Sequence, residues 1–217
     1  MSSSRCSVVV LISGNGSNLQ ALIDCSKHAN FVITAVVSNR ADAYGLVRAK
    51  AEQIPTIVLD HQRFPDRLAF DTQLIQEIDK FNPRLLVLAG FMRILSEKFV
   101  QHYNGKVINI HPSLLPGYRG TNTHQRVLDA GEKVHGVSVH FVTEELDGGP
   151  VILQATVTIE KADTASMLEE KIHRQEHQIY PEVVTLFADN RLQMKDNRAW
   201  LDERLLPQHG YREQTPS

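Results

Sequence analysis

The stretch VINIHPSLLPGYRG, residues 107–120, contains a strand end followed by a loop with two prolines. From Val107 to His111 apolar and polar residues alternate, which predicts a β-strand with Asn109 and His111 on the same face. Pro112 has no backbone N–H and cannot continue a strand ladder, so the strand is expected to end at His111. An amide and an imidazole therefore lie side by side where a strand gives way to a loop. Ligands bind at such places in open α/β sheets.

A purely structural interpretation of this pair is a core histidine beside a capping asparagine. For a lone histidine that interpretation would be preferred. Here the two polar groups share one strand face and meet a loop rich in proline and glycine, which favours a functional role.

Composition restricts the class of protein. The chain has 217 residues, 42% of them hydrophobic, which is enough for a substantial core. With 23 basic and 25 acidic residues the net charge is −2, so charge gives no case for nucleic acid or an anionic membrane as a partner. Cys6 and Cys25 are too few for a disulfide framework or a zinc site. The apolar run Val8–Ile12 is too short for a signal sequence or a membrane span, which predicts a soluble cytoplasmic protein.

A strand, a glycine-rich turn and a helix follow one another near the N-terminus. Val8–Ile12 is followed by Ser13-Gly14-Asn15-Gly16-Ser17-Asn18 and then by apolar residues at helical spacing. Leu19 stands where a dinucleotide fingerprint has its third glycine, and no acidic residue follows the second strand, so NAD is disfavoured. The amides of Gly16 to Leu19 at a helix N-terminus would suit a single phosphate. A tight turn without a ligand is the alternative.

The same alternation of strand and helix continues along the chain. Strands are expected at 31–38 and 56–59, a buried strand at 85–89, and helices at 44–52, 65–81 and 122–130. A half-buried strand is expected over 137–141, another at 151–159, a long helix over 164–190 and an edge hairpin in the tail. This pattern predicts one doubly wound α/β domain over residues 1–217.

Two further loops are candidates for ligand contacts. Gly90–Leu95 follows a buried strand, mixes large apolar side chains with Arg93, and should lie beside the Asn109–His111 strand end. Thr143–Pro150 carries three carboxylates before two glycines and a proline. Such a loop is usually a solvated turn, but glycines beside Asp147 would let it fold inward.

Taken together, these segments resemble the formyl-folate transferase superfamily. The residues that carry the resemblance are LAGFMRILS at 88–96, NIHPSLLP at 109–116 and HGVSVHFVTEELDGGPVILQ at 135–154. SGNGSN at 13–18 narrows the resemblance to the branch that acts on glycinamide ribonucleotide. It covers nearly the whole chain and implies a mostly parallel, Rossmann-like sheet with antiparallel strands in the C-terminal part. It also implies 10-formyltetrahydrofolate as co-substrate, a role in purine biosynthesis, and a monomer or homodimer.

The resemblance also implies a set of site residues. The catalytic set would be Asn109, His111 and Asp147. The nucleotide would be bound by Gly16, Ser17, Asn18, Leu19, Gln20, His173, Arg174, Gln175 and Glu176. The folate would be bound by Arg67, Met92, Arg93, Ile94, Leu95, Asn109, Thr143, Glu144, Glu145, Leu146 and Asp147. Gly117, Arg119 and His173 depart from the residues common in relatives, which leaves fine substrate contacts open.

These residue types suit formyl transfer to an amine. The reaction passes through a tetrahedral carbon that carries an oxyanion, to which Asn109 and a protonated His111 can donate. A carboxylate such as Asp147 would favour the charged form of the imidazole. The proton that moves from the amine to the folate nitrogen could use His111, Asp147 or a water. No metal is expected, because the chain has no cluster of ligand residues.

Several alternatives share parts of this pattern. A methionyl-tRNA formyltransferase is expected to carry an RNA-binding domain and a basic surface, and a formyltetrahydrofolate hydrolase an N-terminal regulatory domain. A non-catalytic nucleotide-binding module is possible if Asn109 and His111 are structural. An NADP oxidoreductase is disfavoured by Leu19.

Overall fold

A strand buried on both faces, β1 (Cys6–Ile12), lies in the interior of an eight-stranded sheet in the computed structural model, which describes residues 5–212. The first four and last five residues of the predicted domain 1–217 lie outside the described residues. The other strands of this sheet are β2 (Phe31–Ser38), β3 (Thr56–Val58), β4 (Leu85–Leu88), β5 (Val107–His111), β6 (Val134–Phe141), β7 (Val151–Thr158) and β11 (Tyr211–Arg212).

The strand order is β11-β7-β6-β5-β4-β1-β2-β3. Only the β5–β6 and β6–β7 pairs are antiparallel, and the other pairs are parallel. The predicted mostly parallel, Rossmann-like sheet with antiparallel strands in its C-terminal part is therefore confirmed. Because the chain leaves β1 towards β2 on one side and returns through β4 on the other, a crevice opens between the ends of β1 and β4.

Helices cover both faces of the sheet, as a doubly wound fold requires. Val8, Val10 and Ile12 of β1 belong to a core that includes residues of α1, α2 and α6, while Val9 and Leu11 belong to a second core with residues of α3 and α4. The helices are α1 (Ser17–Ser26), α2 (Gly45–Ala51), α3 (Arg67–Asp79), α4 (Glu97–His102), α5 (Thr123–Asp129) and α6 (Ala165–Ala188). No helix among the described residues is long and apolar enough to cross a membrane.

Some local predictions were wrong. The helix expected from Pro65 begins at Arg67, because the Asp66 side chain caps it by accepting the Ala69 N–H. Strand β6 is buried on both faces rather than half-buried, because α6 packs on one face and residues 113–115 cover the other. The tail forms a separate antiparallel sheet rather than an edge hairpin, with strands β8 (Leu192–Lys195), β9 (Arg198–Leu201) and β10 (Arg204–Leu205).

Candidate active site

The end of β5 presents Asn109 and His111 on one face, as the alternating pattern predicts. The His111 ring is buried and lies between two acceptors. Its Nε2–H donates to the Tyr118 carbonyl at 3.0 Å, and its Nδ1 lies 3.4 Å from Asp147 Oδ2. Since a carbonyl and a carboxylate both accept hydrogen bonds, the surroundings of the ring suit an imidazolium with a proton on each nitrogen.

Asp147 reaches this ring because its loop folds inward at two glycines. The backbone of Asp147 is left-handed, with φ 47°, and the Gly120 N–H donates to its Oδ2 at 3.0 Å. A Cβ on Gly149 would lie 1.9 Å from the Phe141 carbonyl oxygen, so no side chain fits at that position. The acidic loop is thus held against the sheet, and its Asp147 carboxylate is turned away from solvent.

His140 completes the cluster, although the sequence pattern did not indicate it. Strand pairing places it directly opposite Asn109. Its Nδ1–H donates to the Phe141 carbonyl at 2.8 Å, so Nε2 carries a lone pair that accepts the Asn109 amide N–H at 3.2 Å. Burial lowers the pKa of His140 to about 4, which keeps the ring neutral at physiological pH. This bond fixes the direction of the Asn109 amide and leaves its second N–H for a ligand.

Buried neutral histidines make stability depend on pH. Burial also lowers the pKa of His135 to about 4, and His135 Nε2 lies 3.0 Å from His124 Nδ1. Below about pH 6.5 His135 and His140 are protonated in the unfolded chain but stay neutral in the folded protein until about pH 4. The free energy of unfolding should therefore fall as pH drops from about 6.5 to about 4. Urea titrations at pH 7.5 and 5 should show this loss, and His135→Gln should make it smaller. An equal loss in parent and variant would contradict the prediction.

A cavity beside this cluster brings together most of the residues expected to bind folate. It lies between the loop after β4 and the loop after β6, and Asn109 and His140 form its inner wall. Ile94 and Leu146 are exposed apolar side chains at these loops. The residues expected there that do line the cavity are Arg93, Ile94, Leu95, Asn109, Thr143, Glu144, Glu145, Leu146 and Asp147.

Two expected folate residues are placed elsewhere. Arg67 is exposed in the first turn of α3 and lines a shallow depression with Ser96 and Glu97. The Met92 side chain is 74% exposed, and Met92 lines the neighbouring cavity described next.

A second cavity lies over the glycine-rich turn between β1 and α1. Gly16, with φ 76°, is the N-cap of α1, and a Cβ there would lie 2.6 Å from the Gly45 Cα. The Ser17, Asn18 and Leu19 amides are in the first helical turn and have no intrahelical carbonyl to bind. The Gln20 amide already donates to the Gly16 carbonyl, and the Leu19 side chain is fully buried in the core. A glycine at position 19 would remove that packing, so the departure from the dinucleotide fingerprint has a structural reason.

Basic side chains surround this turn. Arg48 donates to the Asn15 carbonyl at 3.0 Å and to the Asn15 side-chain oxygen at 3.1 Å. Arg40 and His173 line the cavity together with Glu169. Three residues with basic side chains near unpaired helix amides make the turn a suitable site for a phosphate group.

Of residues 173–176 on α6, which were expected to bind the nucleotide, only His173 lines this cavity. Glu176 is buried, and its carboxylate accepts a hydrogen bond from the side-chain Nδ2 of Asn18 at 2.8 Å. Burial raises the pKa of this carboxyl. His173 lies 3.9 Å from the same carboxylate. Arg174 is exposed and Gln175 is partly buried, and neither lines the cavity. Within residues 5–212 no group of three or more histidine, cysteine or carboxylate side chains is arranged to hold a metal ion.

Two cavities lie on either side of the segment after β4, and Asn109 and Asp147 line one of them, with His111 against Asp147. An amide, an imidazole and a carboxylate beside such cavities are features of a group-transfer enzyme. The sequence model of the formyl transferase family matches residues 6–184, and the chain belongs to this family.

Within the family, the chain is similar to phosphoribosylglycinamide formyltransferases. It is 54% identical to that enzyme of Escherichia coli (strain K12) over 206 residues, which cover 94% of this chain and 97% of the relative. The corresponding Haemophilus influenzae enzyme is 48% identical over the same shares. The solved structure of the Coxiella burnetii enzyme superposes with a TM-score of 0.93 at 52% identity, covering 96% of this chain and 99% of that one.

Proposed function

We propose that this protein transfers the formyl group of 10-formyltetrahydrofolate to the amino group of glycinamide ribonucleotide, in purine biosynthesis. The observation that carries the proposal is that Asn109 and Asp147, with His111 against Asp147, line a cavity next to a second cavity that has a helix N-terminus suited to phosphate. The names and full-length coverage of the relatives support the same activity.

The nucleotide cavity is assigned by charge. The phosphate binds to the amides of Ser17 to Leu19, close to Arg48 and His173. Glu176, held by Asn18, lies where it can accept hydrogen bonds from polar groups of the same nucleotide. The amino group then points from the phosphate turn towards His111.

The folate cavity is assigned by shape and by its polar inner wall. The folate ring lies between the 91–95 and 143–147 loops, whose backbone groups provide much of its hydrogen bonding, and Ile94 and Leu146 cover its apolar faces. This pose brings the formyl carbon to Asn109 and His111.

The chemistry follows from the charges of the cluster. When the amine attacks the formyl carbon, the carbonyl oxygen becomes an oxyanion that accepts a hydrogen bond from the free Asn109 N–H and is stabilised by positive charge on the nearby His111 ring. The bond from carbon to the folate nitrogen then breaks, while the amine loses one proton and the folate nitrogen gains one. The Asp147 carboxylate lies 3.4 Å from His111 Nδ1, where its negative charge stabilises positive charge on the ring.

The proposal is tested by a transfer assay. Purified protein is incubated with both substrates, and formylated nucleotide and tetrahydrofolate are measured by mass spectrometry and absorbance. Equal amounts of the two products are expected, and neither without protein. Release of formate without the nucleotide would indicate a hydrolase instead, and no turnover would reject the proposal. A monomer or homodimer, a cytoplasmic location and independence from nucleic acid stay predictions.

Phosphate should bind at the glycine-rich turn. Crystals soaked in inorganic phosphate should show the ion within hydrogen-bond distance of the Ser17, Asn18 and Leu19 amides. Gly16→Ala should remove it, because alanine disfavours φ 76° and its Cβ would meet Gly45. Affinity for a folate analogue, measured by calorimetry, serves as the control and should change little. Phosphate ordered elsewhere, with this turn empty, would contradict the assignment.

A further inference from the structure

A short segment after β4 forms a wall shared by the two cavities. Gly90 and Met92 line the cavity over the glycine-rich turn, while Phe91 and Arg93 line the cavity beside Asn109. Neighbouring residues of this one segment thus line two different cavities. Any group that fixes this wall acts on both cavities at once.

Ser13 is such a group. Its backbone N–H donates to the Gly90 carbonyl at 3.1 Å, and its Oγ accepts the Met92 N–H at 2.8 Å. The parallel pairing of β1 with β4 brings these residues together, since Leu11 is opposite Leu88. Ser13 also directly precedes the turn that begins at Gly14 and lines the same cavity as Gly90 and Met92. Its two hydrogen bonds hold the backbone on either side of Phe91, whose side chain lines the other cavity.

Asn39 orients the Ser13 hydroxyl. Ser13 Oγ–H donates to Asn39 Oδ1 at 2.6 Å, and Asn39 Nδ2 lies 3.3 Å from His61 Nδ1. Both Ser13 and Asn39 are about 95% buried. With its proton committed to Asn39, the hydroxyl oxygen keeps its lone pairs for Met92. Buried polar groups that are fully paired in this way are costly to rearrange.

We propose that Ser13 is a positioning residue that couples the two substrate sites, so that nucleotide bound at the glycine-rich turn strengthens binding of folate. The identity of the two ligands rests on the proposed function. Ordering of the turn by the phosphate fixes Ser13, and Ser13 fixes the backbone of Gly90–Met92, from which Phe91 lines the folate cavity. By thermodynamic linkage each ligand strengthens the other by the same factor, typically about 5-fold or more for coupled sites.

The test measures this factor by calorimetry. The dissociation constant of a non-transferring folate analogue is determined with and without glycinamide ribonucleotide, for the parent and for Ser13→Ala. Ser38→Ala is the matched control, because Ser38 is also buried at a strand end and its hydroxyl makes two bonds, both to Arg40 backbone. We expect the factor to persist in Ser38→Ala and to fall towards 1 in Ser13→Ala.

A purely structural role would lower the unfolding midpoint in both variants and leave the factor intact, which would overturn the proposal. A factor of 1 in the parent would do the same. If Ser13→Ala does not fold, Asn39→Ala leaves Ser13 in place and should still reduce the factor, and an unchanged factor would overturn the proposal. Because binding alone is measured, a parent that shows the coupling but no formyl transfer would reject the proposed function and not the coupling.

Discussion

Asn109→Leu should lower kcat by about 100- to 1,000-fold, which is the usual cost of removing one donor from an oxyanion site. Leucine has nearly the shape of asparagine but offers no N–H. His140 directs the Asn109 amide, so the lost donor is one that the protein holds in place before the substrate arrives. The measurement is steady-state formyl transfer at saturating concentrations of both substrates.

Asn104→Leu provides the comparison, because Asn104 is an exposed asparagine in the turn after α4. Its kcat should stay near that of the parent. Circular dichroism and the unfolding midpoint must show that Asn109→Leu is folded. A folded Asn109→Leu variant with kcat within about threefold of the parent would mean that Asn109 does not stabilise the oxyanion.

Sequence patterns were sufficient to predict the placement of a site residue where the conformation of its own short segment determines that placement. Asn109 and His111 share a face because a strand repeats every two residues, and Pro112 ends that strand. Gly16 adopts φ 76° at a strand-to-helix turn, which its residue type already indicates. The inward fold of Asp147 follows from Gly148 and Gly149. In each case the decisive physics lies within a few residues of the chain.

Sequence reasoning failed where contacts between distant segments decide the environment. The alternation of Val137, Val139 and Phe141 predicts that His140 faces solvent. The structure buries His140 because β6 pairs with β5, which brings Asn109 against the ring, and because Asp147 of the following loop lies 3.8 Å from its Nε2. No pattern within residues 134–141 contains that information, since the same alternation fits a strand at the surface.

Glu176 is an intermediate case. It occupies the apolar face of α6 with Ile172, Ile179 and Tyr180, and a carboxylate at that spacing is a signal for a buried functional group. Its partner Asn18 is 158 residues away, so only the packing of α1 against α6 shows what the carboxylate binds. The C-terminal tail also depends on distant contacts. Strand β11 pairs with β7, and a strand of two residues has too short a pattern to predict that partner or its register.

Asp147→Asn should lower kcat by about 10- to 100-fold at neutral pH. A hydrogen bond to a charged group contributes about 1.5–3 kcal/mol, and each 1.4 kcal/mol of lost transition-state stabilisation is tenfold in rate. The carboxylate stabilises the imidazolium form of His111, so its removal should leave less of that form at pH 7. Asparagine keeps the size of the side chain and can still accept the Gly120 N–H, so the loop should stay folded inward.

The sign of the pH effect separates loss of charge from a displaced loop. If His111 must be protonated, activity falls as pH rises, and in Asp147→Asn this fall should begin at lower pH. NMR titration of the His111 ring should show its midpoint moving in the same direction, whereas Asp129→Asn, on the exposed end of α5, should leave both curves unchanged. Loss of turnover without movement of the midpoint would assign Asp147 to loop geometry. Unchanged turnover together with an unchanged midpoint would remove the His111–Asp147 pair from the mechanism.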